Sequence, residues 1–88
     1  MRIWKFELEV TNEQFIEMPT GWKPLSVQAQ GGRPVLWALV DETATPVMAA
    51  ITMVGTGHPC DEVDQTTEYY LGSVQTGPYV WHYFAKPN

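Results

Sequence analysis

Apolar and charged side chains alternate strictly at the start of the chain. Within residues 2–10, RIWKFELEV, every second position from residue 4 onward is apolar, and the positions between them are charged. The apolar set comprises Trp4, Phe6, Leu8 and Val10. Because successive side chains of a β-strand point to opposite faces, this period of two predicts a strand with one buried face.

A second alternating segment, residues 24–30, is joined to the apolar run PVLWALV by Gly31 and Gly32. Two such segments separated by a glycine pair predict a β-hairpin. The side chains predicted to point inward in the first strand are Leu25, Val27 and Ala29. The second strand is apolar at positions of both parities, so we expect it to be covered on both faces.

Shorter segments complete the pattern, with strands predicted over residues 15–18, 47–54, 68–75 and 79–85. The Met and Ala content of residues 47–54 also suits a helix. The segment is short, however, follows a proline and contains β-branched residues, which favours a strand. Six or seven short strands with turns every 8–12 residues predict one domain over residues 1–88. The fold class is all-β, a small antiparallel β-sandwich or barrel.

Charge and cysteine content narrow the function classes. The formal net charge is −5, with only five Lys and Arg residues, which argues against binding to duplex nucleic acid. Cys60 is the single cysteine, which suits a reducing compartment. The apolar runs are too short to span a bilayer, and the N-terminus does not resemble a signal peptide. We therefore expect a soluble, cytoplasmic protein that makes no membrane contact.

The longest polar segment is the loop 55–67, which begins GTGHPC. Gly55 and Gly57 allow positive φ angles, so successive N–H groups can point into one concavity and hold an anion. Thr56 and His58 add a hydroxyl and an imidazole. The alternative is a simple turn in which these two side chains cap neighbouring backbone groups, because the lysine and helix of a nucleotide P-loop are missing.

Two sharper chemistries are disfavoured in the same loop. Its potential metal ligands are His58, Cys60, Asp61, Glu62 and Asp64, with His82 as the one further imidazole. Structural zinc sites usually need paired Cys or His residues, so we expect no metal and no cofactor. Nucleophilic catalysis by Cys60 with His58 would need an orienting third group that the sequence does not indicate.

Aromatic side chains crowd into the last two predicted strands on both faces. The rings are Tyr69, Tyr70, Tyr79, Trp81 and Tyr83. A core needs the rings of only one face, so the other face should meet a partner subunit or stack on a planar ligand. We therefore expect a homo-oligomer.

The segments IWKFELEVT, LSVQAQGGRPVLWALVD, GTGHP, YLGSVQ and YVWHYF, in this order, resemble a family of small proteins encoded by phages and prophages. Val54 and Cys60 depart from that pattern, which often has an aromatic and an aliphatic residue at these positions. The resemblance implies an accessory phage protein made in a bacterial cytoplasm. Small phage proteins of this size often counter host defence, in some cases by sequestering nucleotide immune signals.

These observations give a leading hypothesis: a non-enzymatic anti-defence protein that sequesters a small anionic nucleotide, such as a cyclic dinucleotide or an NAD-derived molecule. The predicted ligand-binding residues are Gly55, Thr56, Gly57 and His58 for phosphate, Arg33 for charge, and Trp37, Tyr70 and Trp81 for base stacking. The alternative is a phage protein that binds a host protein through an aromatic sheet face. A hydrolase built around His58 and the neighbouring acids ranks third.

Overall fold

The computed structural model describes residues 1–60, residue 63 and residues 67–86, and it confirms the all-β prediction. Every strand pairing is antiparallel. The strands are β1 (Arg2–Glu7), β2 (Glu13–Pro19), β3 (Lys23–Gln30), β4 (Arg33–Val40), β5 (Pro46–Gly55), β6 (Tyr69–Thr76) and β7 (Tyr79–Ala85). The described part of the chain contains no helix that is long and apolar enough to cross a lipid bilayer.

The strands form two sheets, one in the order β1-β4-β3 and one in the order β2-β5-β7-β6. Glycines at positive φ close the two hairpins: Gly31 and Gly32, at 59° and 79°, join β3 to β4, and Gly77, at 59°, lies between β6 and β7. The β1–β2, β2–β3 and β4–β5 connections each pass from one sheet to the other. The fold is therefore a pair of packed sheets, which corresponds to the sandwich of the two predicted architectures and not to the barrel.

The core lies between the two sheets and draws on both. Leu36, Ala38 and Val40 of β4 are fully buried against residues of the four-stranded sheet such as Ile51 and Tyr83. The Tyr83 hydroxyl donates a hydrogen bond of 3.0 Å to the carbonyl oxygen of Glu9. Burial raises the pKa of Tyr83 to about 12, and the charge of Glu9 adds to the shift.

The inward set predicted for β3 is only partly correct. Val27 is buried, but Ala29 is exposed and Leu25 is 51% exposed. The register of β3 against β4 shifts between Pro24 and Ser26, so Leu25 is the extra residue of a β-bulge. A bulge reverses the alternation of side chains along a strand, which explains the position of Leu25.

The other burial predictions differ from the structure mainly at strand ends and edges. The first strand ends at Glu7, so Val10 lies beyond it and is 49% exposed. In β4 the expected cover on both faces is found at Val35 and Leu36, which are buried, whereas Trp37 is half-buried. The segment with mixed helix and strand character is strand β5.

Candidate functional site

The turn at residues 55–58 follows directly from the end of β5. Its backbone is partly closed on itself, because the His58 N–H donates to the Gly55 carbonyl at 3.0 Å. The Thr56 N–H donates to Val80 of the neighbouring strand at 3.1 Å. Gly57 has a φ of +86°, and its N–H has no partner among the described residues. The predicted anion cradle thus reduces to one free backbone donor, beside the Thr56 hydroxyl and the imidazole.

Gly55 is required because two rings lie over its backbone. A Cβ at this position would come within 2.9 Å of both the His58 Nδ1 and the Trp81 Cζ3. The centroids of these two rings are 6.4 Å apart, in an edge-to-face arrangement. This contact places the imidazole of an exposed turn residue against a half-buried indole, so Gly55 is selected by packing. The positive φ that the sequence allows at both glycines is found at Gly57 and not at Gly55.

Tyr79 is a site residue that the sequence prediction omitted. Its ring stacks on that of Trp81, with centroids 5.5 Å apart and planes inclined by 21°. The Trp81 Nε1–H donates to the Thr76 hydroxyl at 2.8 Å, which fixes the indole. Tyr79 is 60% exposed, so its ring covers Trp81 on one side and faces solvent on the other. The feature of the sequence that could have identified Tyr79 is its position directly after the turn residues Gly77 and Pro78, because residues at the end of a hairpin project from the sheet.

These residues surround a surface depression of about 330 Å³, which we call the His58 depression. Its lining residues are Gly55, Thr56, His58, Pro78, Tyr79, Val80 and Trp81. No Lys or Arg is among them. The depression therefore offers hydroxyl, imidazole and amide donors next to an exposed ring, but no permanent positive charge.

A chain of hydroxyl groups and one imidazole runs from the turn across the outer face of the four-stranded sheet. The His82 Nε2 lies 2.6 Å from the Thr56 hydroxyl, and its Nδ1 lies 2.8 Å from the Ser73 hydroxyl. Ser73 in turn is hydrogen-bonded to the Tyr70 hydroxyl. Which hydroxyl donates to the imidazole and which accepts from it depends on the tautomer of His82. These hydrogen bonds connect Tyr70 to Thr56 through Ser73 and His82.

The chain differs from a nucleophilic triad in its third member. Ser73 and His82 are at hydrogen-bonding distance, as a serine nucleophile and its base would be. The other imidazole nitrogen meets the Thr56 hydroxyl, where a triad would use a carboxylate to stabilise the imidazolium. These hydrogen bonds hold the His82 ring and the turn at residues 55–58 in place. They also leave a row of polar side chains along the outer face of the sheet.

Arg33 and Trp37 lie on the other sheet. Arg33 begins β4, and its Nη1 is 3.5 Å from the Glu7 Oε2. Trp37 alternates with Leu36 and Ala38, which point into the core, so its indole belongs to the outer face of the three-stranded sheet. The structure thus assembles the predicted turn residues with Trp81, connects Tyr70 to them through hydrogen bonds, and leaves Arg33 and Trp37 elsewhere.

The potential metal ligands of the loop, for which the sequence analysis expects no metal, fall partly outside the described residues. Asp61, Glu62 and Asp64 lie there, while Cys60 is exposed. Within the described part of the chain, no three His, Cys, Asp or Glu side chains lie close enough together to hold a metal ion.

The outer face of the four-stranded sheet carries large apolar side chains. Phe15 and Met48 are 60% and 57% exposed, and Tyr70 is 57% exposed. The register places Phe15 beside Ala50, and the Tyr70 ring contacts the Phe84 ring at 5.4 Å between centroids. Of the five rings that the sequence groups on the last two strands, this surface holds only Tyr70, and it extends onto β2 and β5.

Comparison with known proteins identifies the family. The whole chain, residues 1–88, matches the family described as "Domain of unknown function (DUF7352)". The chain therefore belongs to that family. No curated protein and no solved structure matches it.

Proposed function

We propose that this member of the DUF7352 family is a non-enzymatic protein that binds a small nucleotide-like anion in the His58 depression. The observation that supports the proposal most is the convergence of the predicted turn residues and Trp81 around one cavity with an exposed ring. Ligand sites commonly combine apolar or aromatic walls with a few polar groups, and the depression has this composition.

Each part of the ligand has a complementary group in the depression. Phosphate oxygens would accept hydrogen bonds from the Gly57 N–H, the Thr56 hydroxyl and the His58 imidazole. The base would stack on the solvent-facing side of Tyr79, because Trp81 already occupies the other side. Tyr79 thus takes the stacking role that the sequence prediction gave to Trp81, and Trp81 supports it from behind.

The proposal includes a homo-oligomer, because the depression contributes no cation of its own. An anion on a chain of net charge −5 needs a compensating positive charge. Arg33 lies at the tip of the β3–β4 hairpin and is well exposed, so we assign its contribution to a neighbouring copy of the chain. In this arrangement the site is complete only between two copies.

The biological setting in the proposal comes from the sequence resemblance. The resemblance implies an accessory phage protein made in the bacterial cytoplasm, and a binding protein without turnover would act there by sequestration. We therefore propose an anti-defence role, with a cyclic dinucleotide or an NAD-derived nucleotide as the sequestered signal. The phage origin, the cytoplasmic location and the ligand identity all belong to this proposal.

A thermal-shift screen with cyclic dinucleotides and ADP-ribose tests the proposal. We expect at least one of them to raise the melting temperature, and the same ligand to be recovered intact after long incubation. His58→Ala and Tyr79→Leu should each remove most of the shift. Phe15→Leu is the matched control, because Phe15 is also 60% exposed but is not among the described residues that line the depression. Chemical conversion of the ligand would instead indicate an enzyme.

The exposed apolar side chains on the outer face of the four-stranded sheet favour a second candidate function, the binding of a host protein. Phe15 and Met48 would be buried at that interface, where aromatic residues and methionine are enriched. Phe15→Asp and Met48→Asp should then abolish capture of one bacterial protein by the immobilised chain. Leu25→Asp, at a 51% exposed apolar position of the other sheet, is the control that should retain capture.

A further inference from the structure

A second and larger cavity lies away from the His58 depression. It has a volume of about 540 Å³ and lies between the β2–β3 connection, the start of β6 and the end of β7. We call it the lysine cleft. Its lining residues are Thr20, Gly21, Trp22, Lys23, Pro24, Tyr69, Ala85 and Lys86. None of these described residues also lines the His58 depression.

The cleft concentrates positive charge in an acidic protein. Lys23 and Lys86 are two of only five basic residues in the chain. Lys23 has neither an ion pair nor a side-chain hydrogen bond with any residue that the structure describes. Lys86 makes one loose ion pair, 3.7 Å from the Glu13 Oε2, and half of its side chain is exposed. Both ammonium groups are therefore available to an anion.

Two aromatic rings line the same cavity. Trp22 is half-buried and packs against the core, whereas Tyr69 is 60% exposed. Neither ring stacks on another ring in the described part of the chain. The Trp22 Nε1–H likewise has no hydrogen-bond partner among the described residues. The cleft thus presents unstacked ring surface and a spare donor beside its two cations.

The wall that carries Trp22 and Lys23 is held in place by backbone hydrogen bonds. The Thr20 N–H donates to the Thr45 carbonyl at 2.9 Å, and the Trp22 N–H donates to the Pro19 carbonyl at 3.2 Å. Gly21 takes a φ of +82°, which a side chain would disfavour. The opposite wall is equally fixed, because Tyr69 and Ala85 are paired in the β6–β7 ladder. A pre-formed cavity of this kind loses little entropy when a ligand enters.

We propose that the lysine cleft is a binding site for a nucleoside monophosphate, or a ligand with the same combination of a planar base and a phosphate. The phosphate is held by Lys23 and Lys86, and the base lies against the rings of Trp22 and Tyr69. Cation pairs and aromatic stacking are the interactions that bind such ligands. The cavity volume lies within the range of small-molecule sites, roughly 300–1,000 Å³. This site is independent of the function proposed for the His58 depression.

The tryptophan indole N–H signals in a ¹H–¹⁵N correlation spectrum test this site directly. The chain has four tryptophans, and Trp22 lines the cleft while Trp81 lines the His58 depression. Titration with the four ribonucleoside monophosphates should shift the Trp22 signal in a saturable manner with at least one of them. Adenosine or inorganic phosphate alone should bind at least about tenfold more weakly, because each supplies only half of the contacts.

Charge-matched variants separate the cleft from a general electrostatic effect. Lys23→Gln with Lys86→Gln should weaken binding about tenfold or more. The double variant Arg2→Gln with Lys5→Gln also removes two positive charges, but it removes them from β1. Its affinity should stay within about twofold of that of the wild type. Tyr69→Leu should weaken binding, and Phe15→Leu should not, because Phe15 is equally exposed but is not among the described residues that line either cavity.

Three results would overturn the inference: a Trp22 signal that stays unmoved by all four nucleotides at millimolar concentration, equal losses in the two double variants, or equal affinity for inorganic phosphate alone. The Trp81 signal keeps the two proposals distinguishable. A response at Trp22 without one at Trp81 supports the cleft alone, and the converse supports only the His58 depression.

Discussion

Contacts made by individual side chains hold the turn at residues 55–58 against the sheet. The His58 ring leans on Trp81, and both rings occupy the space that a side chain at position 55 would need. The Thr56 hydroxyl meets His82, which joins the turn to the sheet behind it. The function proposed for the depression depends on these contacts, because they orient the groups that would meet a ligand.

The variant Gly55→Ala tests the packing of the two rings. Its Cβ would lie 2.9 Å from each ring, so we expect a loss of about 1–3 kcal/mol in the free energy of unfolding, measured with urea. The same change in a His58→Ala background should cost less, because one of the two rings is then absent. Equal costs in the two backgrounds would show that His58 does not lie over Gly55.

Tyr83 makes the stability of the protein sensitive to alkaline pH. Its pKa is about 12 in the folded state and 10.0 in the reference state, so the neutral hydroxyl is favoured by folding. This contribution is complete below pH 10 and is lost as the pH rises towards 12. The urea midpoint of the wild type should therefore fall across that interval, and the midpoint of Tyr83→Phe should fall less.

Tyr83→Phe should also cost about 1 kcal/mol at neutral pH, because the Glu9 carbonyl loses its donor. Parallel curves for the wild type and Tyr83→Phe above pH 10 would contradict the assigned burial of this hydroxyl.

At the level of strands, the close approach of β3 to β6 brings the two sheets together. Gly72 of β6 has a φ of +149°, and a Cβ there would lie 3.2 Å from the Val27 carbonyl oxygen and 3.3 Å from its side chain. Backbone conformation and lack of space therefore both select glycine at this position. The packing of the buried β6 side chains Leu71 and Val74 depends on the same close approach of β3 to β6.

Gly72→Ala should destabilise the protein more than Gly77→Ala does. Gly77 has a φ of +59° but open space around it, so its replacement costs only the conformational penalty, roughly 1–2 kcal/mol. At Gly72 the clash with Val27 adds about 1–3 kcal/mol. Thermal unfolding of the two variants measures the difference, and equal losses would mean that the sheets are farther apart at this point.

The strands could be predicted from the sequence because the two faces of a sheet differ in polarity. The alternation in β1 and the glycine pair before β4 needed no knowledge of partners. The bulge at Leu25 could not be predicted, since one extra residue in a strand has no marker in composition. The pairings of β1 with β4 and of β5 with β7 could not be predicted either, because they join segments that are distant in sequence.

The candidate sites were predictable only where one segment carries them. The turn at residues 55–58 is continuous, and its glycines and histidine were visible in the sequence. Trp22, Tyr69 and Lys86 come from three distant elements, so the lysine cleft could not be predicted. Arg33 and Trp37 were grouped with the turn on chemistry alone, and the fold places them on the other sheet.

At the scale of the whole molecule, the described residues form the His58 depression, the lysine cleft and an apolar outer face on the four-stranded sheet. With only 88 residues it exposes Phe15, Met48, Tyr70 and Tyr79 at 57–60% each, which is ring and thioether surface left outside the core. A monomer rarely leaves large contiguous apolar surface uncovered unless that surface has a partner. The central claim is therefore a binding function, with the His58 depression proposed as the site of a nucleotide-like anion.

A ¹H–¹⁵N titration of the wild-type chain with cyclic dinucleotides and ADP-ribose tests that claim most directly. If the proposal is correct, the Gly57 amide and the Trp81 indole signals shift saturably with the same affinity, and these shifts are lost in His58→Ala. Unchanged Gly57 and Trp81 signals at saturating ligand would contradict it.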